Sequence, residues 1–364
     1  DGAEIVRLPG LNQRIGSLKR ALRRGGAADG APAGGAVPRP RVHTQSRARR
    51  QLAEVHYQAS AVAAGVAQRA DAYHAHDLDT LRAAHACARL TRARLIYDSH
   101  ELWIEWQQNK AGAPAWLLAQ WRRTERAGVR AADRVITISD ALAAELEGMY
   151  GGPTPAVIRN CAPLRPLAEG HALRDLTGGD PARPLVLYQG GFSSGRGLLE
   201  LVAAAAYVPQ ADVVLMGHAS PYRDEVEVAA ARAPHGNVFV APAVSFEALW
   251  AYTCSADVGV VLTQPVCRSY ALSLSNKIFE YMVAGCAVLA SDLASHRQLA
   301  AQTGAVALAD VDDPEALGQA LADLVRDRDR LAAMGAAGRA AAEGGLNAQA
   351  EFARLADLYA GLAR

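Results

Sequence analysis

From Ala72 onward the sequence alternates short β-like runs with longer helical ones, and this narrows the fold more than any other feature. In the first half the runs are Ala72–His76, Arg94–Asp98, Arg134–Ile138 and Ala156–Arg159, with helical stretches such as Pro114–Ala131 and Asp140–Met149 between them. In the second half they are Leu185–Gln189, Val213–Gly217, Val238–Val240, Val258–Leu262, Ala287–Ala290 and Ala305–Leu308. The intervening helices there include Gly197–Ala206, Ser245–Ser255, Asn276–Ala284 and Pro314–Asp327. Strands separated by helices of about 10 to 15 residues argue for parallel sheets built from βαβ units. Two such series predict an α/β protein of two doubly wound domains, for which 364 residues suffice. The joint falls near Asn160–Pro184, where Pro163, Pro166, Gly178, Gly179, Pro181 and Pro184 interrupt the pattern. The expected units are residues 1–160, residues 161–345 and a C-terminal helix in 346–364 that packs back toward the first domain.

Upstream, Glu4–Leu8 reads as a strand, and Gly25–Arg50, dense in Gly, Pro and Ala, reads as a basic loop. Hydrophobic residues make up 51% of the chain, enough for real cores. A net charge of +1 and 6% aromatics argue against a protein that coats nucleic acid by charge and base stacking. No apolar run approaches the roughly 18 residues that span a bilayer. Five cysteines, none in a C-x-x-C pair, fit a reduced, cytoplasmic compartment.

In doubly wound domains, ligands sit beyond the carboxyl ends of the strands. After Leu185–Gln189 comes Gly190-Gly191-Phe192-Ser193-Ser194-Gly195-Arg196-Gly197, then a helix. Such a turn offers backbone N–H groups to an anion, and Arg196 adds a guanidinium suited to phosphate. A plain strand-to-helix turn that needs glycine for its geometry reads equally well. After Val258–Leu262 and a loop come Ser275-Asn276-Lys277-Ile278-Phe279-Glu280-Tyr281-Met282 and Ala284-Gly285-Cys286-Ala287-Val288. Asn276 is a good N-cap, Lys277 lies at the positive end of the helix, and Glu280 shares the face of Asn276. A carboxylate there can accept two hydrogen bonds from a ribose diol. A dipole effect alone explains the acid but not the cap, cation and acid together.

This segment resembles the nucleotide-sugar motif of retaining GT-B glycosyltransferases, in particular glycosyltransferase family 4 (group 1 type). Leu95–Leu102 resembles the family's "Y-D-x-H-E", Asp133–Asp140 its "D-R-V-I-T-x-S", Val157–Asn160 its "V-I-x-N", and Tyr188–Glu200 its Gly-loop element. The motifs run in order from about Asp71 to the C-terminus. The resemblance implies the GT-B fold, two Rossmann-like domains facing across a cleft, and transfer of a sugar with retention from a nucleotide-diphosphate donor to a hydroxyl acceptor. It implies that Glu280 binds the ribose while Arg196 and Lys277 hold the diphosphate, with Gly190, Gly191, Gly197, Ser275 and Asn276 around them. His76 would position the donor sugar. No cofactor is expected; the donor is a substrate, with UDP favoured as its nucleotide.

The chain departs from the pattern at Leu272, where an E-x7-E pair would place its first acid. Ser275 replaces a common proline, and Gly191 stands where some members carry a second arginine. The loop at Leu262–Ser275 is then expected to hold the sugar through backbone N–H groups near Ser273. The family opens on a strand and Gly-rich loop that the first domain here is expected to lack. In His74-Ala75-His76-Asp77-Leu78-Asp79, a metal site built on Asp77 and Asp79 competes with capping of the next helix by these acids. Capping is preferred, because Arg196 and Lys277 already supply the charge, so no metal is expected. His100-Glu101 lies at the cleft edge and either shapes the acceptor site or is a satisfied strand-end histidine.

Trp103, Trp106, Trp116 and Trp121, followed by Arg122, Arg123, Arg126 and Arg130, read either as a core-facing helix with a basic side or as a lipid-interface helix. The second reading goes with a lipid-linked acceptor and peripheral association with the inner face of the membrane. Residues 1–160 hold 23 Lys/Arg against 15 Asp/Glu, a charge of +8, and residues 161–364 hold 15 against 22, a charge of −7. That split suits an anionic acceptor or membrane face on the first domain. Two other readings stand beside transfer: a nucleotide-sugar epimerase on the same fold, and a non-catalytic glycosyltransferase-like partner protein.

Overall fold

The computed structural model describes residues 47–362, with side chains from residue 54 onward apart from 110 and 111. The predicted strand Glu4–Leu8 and most of the Gly25–Arg50 loop lie outside the described residues. The last four residues of that loop, Arg47–Arg50, instead open helix α1 (Arg47–Gln68), consistent with the good helix formers in Arg-Ala-Arg-Arg-Gln-Leu-Ala.

Four parallel strands make the first sheet: β1 (Ala72–His76), β2 (Arg94–Ser99), β3 (Arg134–Thr137) and β4 (Ala156–Val157), in that order. Helices α2 (Asp77–Thr91), α3 (Trp103–Ala111), α4 (Ala115–Ala131) and α5 (Asp140–Tyr150) link them. The edge strand β4 is shorter than predicted, because its chain leaves the sheet after Val157 to begin the interdomain segment.

The second sheet holds β5 (Leu185–Gln189), β6 (Asp212–Gly217), β7 (Val238–Pro242), β8 (Val258–Val261), β9 (Ala287–Ser291) and β10 (Val306–Ala309). All are parallel, and their order is β10-β9-β8-β5-β6-β7. The β5, β6, β8 and β9 strands are buried along their whole length, as sheets covered by helices on both faces require. The order reverses between β5 and β8. In a doubly wound sheet that switch point is where a ligand crevice opens.

After β5 and its glycine loop come α7 (Leu198–Ala204), α8 (Pro221–Ala230) and α9 (Phe246–Cys254). A one-turn α10 (Arg268–Ala271) precedes α11 (Asn276–Val283), and α12 (Ala294–Thr303), α13 (Pro314–Arg326) and α14 (Arg328–Glu343) complete this domain. The short α6 (Ala172–Thr177) lies in the segment that joins the domains.

The final helix α15 (Ala348–Ala360) returns to the first sheet. Leu355, Leu358 and Leu362 pack with Ile96, Ile136 and Ile158, and the Ala348 N–H donates to the Ala162 carbonyl at 3.0 Å. Asn347 caps this helix through the Ala350 N–H at 2.9 Å. The two sheets therefore face each other with their carboxyl ends toward one cleft, the architecture of the GT-B fold.

Candidate active site

At the switch point, the loop after β5 turns on Gly190, with φ of +140°, and Gly197, with φ of +64°. A Cβ at Gly190 would lie 2.5 Å from Lys277 Cε, and one at Gly197 2.6 Å from the Leu262 carbonyl. Both glycines are needed for close approach as well as for backbone conformation. Lys277 thus lies against the glycine loop, its Nζ 5.8 Å from the centre of the Tyr188 ring. Burial, with the nearby Arg196 cation adding to it and Glu280 opposing, pulls the Lys277 ammonium down to about 8. The Arg196 guanidinium stands 5.1 Å over the Tyr270 ring. No ion pair holds Arg196 among the described residues. Two cations lie close together here with one acid nearby, an arrangement that suits a ligand of higher negative charge.

Glu280 reaches the site because its neighbour is anchored. Tyr281 Oη donates to the Leu187 carbonyl at 3.0 Å and accepts from the Gln189 N–H at 3.2 Å, so the ring is pinned under β5. A Cβ on Gly259 of β8 would fall 2.1 Å from Tyr281 Cγ, so this strand offers the ring the space it occupies. Glu280 then accepts from Gln189 Nε2 at 2.6 Å, and Gln189 Oε1 accepts from Thr253 Oγ1 at 2.8 Å. The carboxylate is held with one oxygen engaged.

Asn276 is not the N-cap. Ser275 is, without a side-chain cap bond, and Asn276 is the first helical residue and exposed. The chain is still extended at Ser275, with ψ of 134°, and turns helical at Asn276, so the helix starts one residue earlier than the residue preference implied. The Ser273 N–H is used within the preceding turn, donating to the Tyr270 carbonyl at 3.2 Å, so it is not free to hold a sugar. Leu272 packs against the main core, and its carbonyl accepts from Ser139 Oγ and Ser295 Oγ. Gly191 is exposed with open space around it.

Across the cleft, Asp98 is the centre of a histidine cluster. Its Oδ2 lies 3.3 Å from His76 Nδ1, 3.3 Å from His100 Nε2 and 3.4 Å from His74 Nε2. The His74 and His76 rings stack at 4.3 Å. Burial works to raise the Asp98 carboxyl, but the surrounding imidazoles outweigh it and hold the group well below the carboxylate range. In return the hydrogen bond to Asp98 raises His100, against burial. Asp77 and Asp79 lie in the first turn of α2, but neither caps it: the N-cap is His76, without a side-chain bond. Asp77 has φ of +58°, and its Oδ1 accepts the His100 N–H at 2.9 Å. Asp77 therefore fixes the strand-end loop that carries His100.

A cavity of about 450 Å³ joins the two sides. His76, Asp98 and His100 line it from the first domain, and Gln189, Thr253, Asn276 and Glu280 from the second. Arg165 also lines it, with its guanidinium 4.7 Å from the centre of the Trp250 ring and 5.5 Å from that of Phe246. The site thus gathers His76, Asn276 and Glu280 in one cavity, while Gly190, Arg196 and Lys277 cluster at the glycine loop. Sequence reasoning missed Gln189, Asp98 and Arg165. Gln189 ends a strand and Asp98 stands inside a recognised motif, so position could have flagged both.

In α4, Glu125, Gly128 and Val129 face the core, while Arg122, Arg123, Arg126 and Arg130 are exposed. Trp103 and Trp121 pack edge to face at 4.9 Å, and Trp116 is 59% exposed. Among the described residues no helix is long and apolar enough to cross a membrane.

Two family models match the chain: the glycosyl transferase 4-like domain over residues 10–161 and glycosyl transferases group 1 over residues 183–327. Together they cover both sheets, and the chain belongs to the group 1 glycosyltransferases of the GT-B fold. It is 29% identical to the alpha-maltose-1-phosphate synthase of Mycobacterium tuberculosis, with 91% of this chain and 89% of that protein covered. Among solved structures, a sucrose-phosphate synthase from Thermosynechococcus elongatus superposes with a TM-score of 0.72 at 20% identity, covering 88% of this chain and 81% of that one. Anabaena HepE in complex with UDP superposes with a TM-score of 0.68 at 18% identity, covering 85% and 83%. The likeness to these structures concerns the fold.

Proposed function

We propose that the protein transfers a sugar, with retention, from a nucleotide-diphosphate donor to a hydroxyl acceptor, and that no metal bridges the diphosphate. The observation that carries this reading is the pairing of Lys277 and Arg196 at the glycine loop with a Gln189-anchored Glu280 in the adjoining cavity. As the glycosidic bond breaks, negative charge grows on the departing diphosphate, and these cations offset it. Glu280 has an oxygen left for the ribose diol, and His76 positions the sugar from the opposite wall.

UDP is the proposed nucleotide, supported by the UDP-bound relative. The sugar-phosphate synthases among the relatives, the +8 charge of residues 1–160 and Arg165 in the cavity support an anionic acceptor. A lipid-linked acceptor at the inner membrane face, in a cytoplasmic protein, would use Trp116 and the exposed arginines of α4. Flotation with anionic vesicles at low salt tests that part, and a protein left wholly in the soluble fraction rejects it.

UDP should raise the melting temperature of the wild-type protein, and Glu280→Ala and Arg196→Ala should each reduce that shift. If no nucleoside diphosphate shifts the wild type, the site assignment fails. Anomeric analysis of the product tests retention, and activity after chelation tests metal independence. Incubating the donor alone separates transfer from epimerisation.

A further inference from the structure

We propose that His74 Nε2, His76 Nδ1 and Asp98 Oδ2 form a binding site for a borderline divalent transition metal, zinc by preference, on the first-domain wall of the cleft. Their placement follows from the sheet. His74 and His76 are two apart on β1 and so share a face, and the parallel register sets His76 directly beside Asp98 of β2. Ligands on paired strands are held more rigidly than ligands on loops.

The two separations from the carboxylate fit the ion. Zinc bonds of 2.0–2.2 Å in a tetrahedron set neighbouring donor atoms about 3.3–3.6 Å apart. Asp98 Oδ2 lies 3.3 Å from His76 Nδ1 and 3.4 Å from His74 Nε2, and all three atoms fall within 4.8 Å of one another. His74 Nε2 is also a buried nitrogen without a hydrogen-bond partner, aimed into this cluster. A metal would give that lone pair its use.

The outer shell is present as well. His74 Nδ1 lies 2.6 Å from Tyr359 Oη of α15, which orients the ring and leaves Nε2 for a metal. His100 Nε2 stands 3.3 Å from Asp98 Oδ2, and its Nδ1 is 3.1 Å from Asn160 Nδ2. Two imidazoles and a carboxylate suit zinc or cobalt rather than magnesium, which prefers oxygen ligands and its own waters. Three protein ligands leave a fourth position, and His76 and Asp98 both line the cavity. A bound ion would therefore face the cleft and occupy His76 without touching the glycine loop.

The test uses the full chain, stripped with a chelator. Zn²⁺ is titrated calorimetrically and Co²⁺ by its visible spectrum. One equivalent should bind, with the intense bands of four-coordinate cobalt and no thiolate charge-transfer band. His76→Ala, at a side chain that is 60% exposed and so compatible with folding, should weaken binding at least tenfold. Tyr359→Phe, which removes no ligand, should weaken it about tenfold. Metal-free melting curves establish that each variant is folded. Absence of one-equivalent binding overturns the proposal, as do unchanged affinities in both variants or thiolate bands that assign the metal to cysteine. Because binding is read directly, the outcome is independent of whether the protein proves to be a transferase.

Discussion

Lys277 carries a testable pH dependence. Its ammonium sits at about 8 because burial and Arg196 disfavour the charge, whereas an unfolded lysine titrates near 10.4. Between these values the unfolded chain binds more protons than the folded one, so this group makes ligand-free stability rise with pH from about 8 upward. The proposed binding of a diphosphate has the opposite demand, since it would need the cation. UDP affinity should hold below pH 8 and then fall, approaching about tenfold per pH unit. Lys277→Met should weaken binding at pH 7 and flatten the decline, as measured by calorimetry from pH 7 to 9.5. A wild-type affinity that stays level across this range would remove Lys277 from the diphosphate site. Gly190→Ala addresses the same contact from the loop. The added Cβ meets Lys277 Cε at 2.5 Å and the backbone has φ of +140°, so about 1–3 kcal/mol of stability and most of the UDP-induced thermal shift should be lost. At this scale the sequence was readable where residues are contiguous. Lys277 and Glu280 stand in one short segment. Gln189 meets Glu280 only because two distant strands and a helix pack together, and the Asp98 cluster exists only through the β1–β2 register.

The strands and helices were largely readable as elements, because fully buried parallel strands leave uninterrupted apolar runs and their helices are amphipathic. What periodicity does not convey is how the elements are fastened. Tyr281 reads as one more apolar residue of α11, yet its hydroxyl bonds both Leu187 and Gln189 of β5, and its ring fills the space that Gly259 leaves on β8. Gly259→Ala would put a Cβ 2.1 Å from Tyr281 Cγ. The ring is buried and cannot swing away, so overpacking should cost about 1–3 kcal/mol or more, read as a lower urea midpoint. Because α11 also carries Glu280 and Lys277, the variant should bind UDP more weakly even where it remains folded. A folded Gly259→Ala protein with wild-type UDP affinity would show that the helix position is set elsewhere.

At the scale of the molecule, the groups proposed to hold the diphosphate and ribose belong to the second domain and His76 to the first, so productive geometry depends on how the domains are registered. Direct bonds set that register: Arg268 to Glu145 at 2.6 Å, Gln298 Nε2 to Asp140 Oδ2 at 2.7 Å, and Ser139 Oγ to the Leu272 carbonyl at 3.4 Å. They connect Ser139, Asp140 and Glu145 to the Arg268–Leu272 segment, whose Tyr270 lies under Arg196 of the glycine loop, and to α12. The charge split, +8 against −7, draws the halves together without choosing one orientation, because long-range attraction is smooth over a few ångströms. Short hydrogen bonds do choose. The Arg268 pair is exposed on the arginine side, so it adds at most about 1 kcal/mol to stability. A variant combining Arg268→Ala and Gln298→Ala should therefore melt within a few degrees of the wild type and bind UDP within about twofold. Its transfer rate should fall further than its donor affinity, since a displacement of about 1 Å between His76 and the donor is costly to a reaction that relies on orientation. Kinetics beside UDP titration decide the matter: equal losses in both would place these contacts in support of the donor pocket rather than of the domain register.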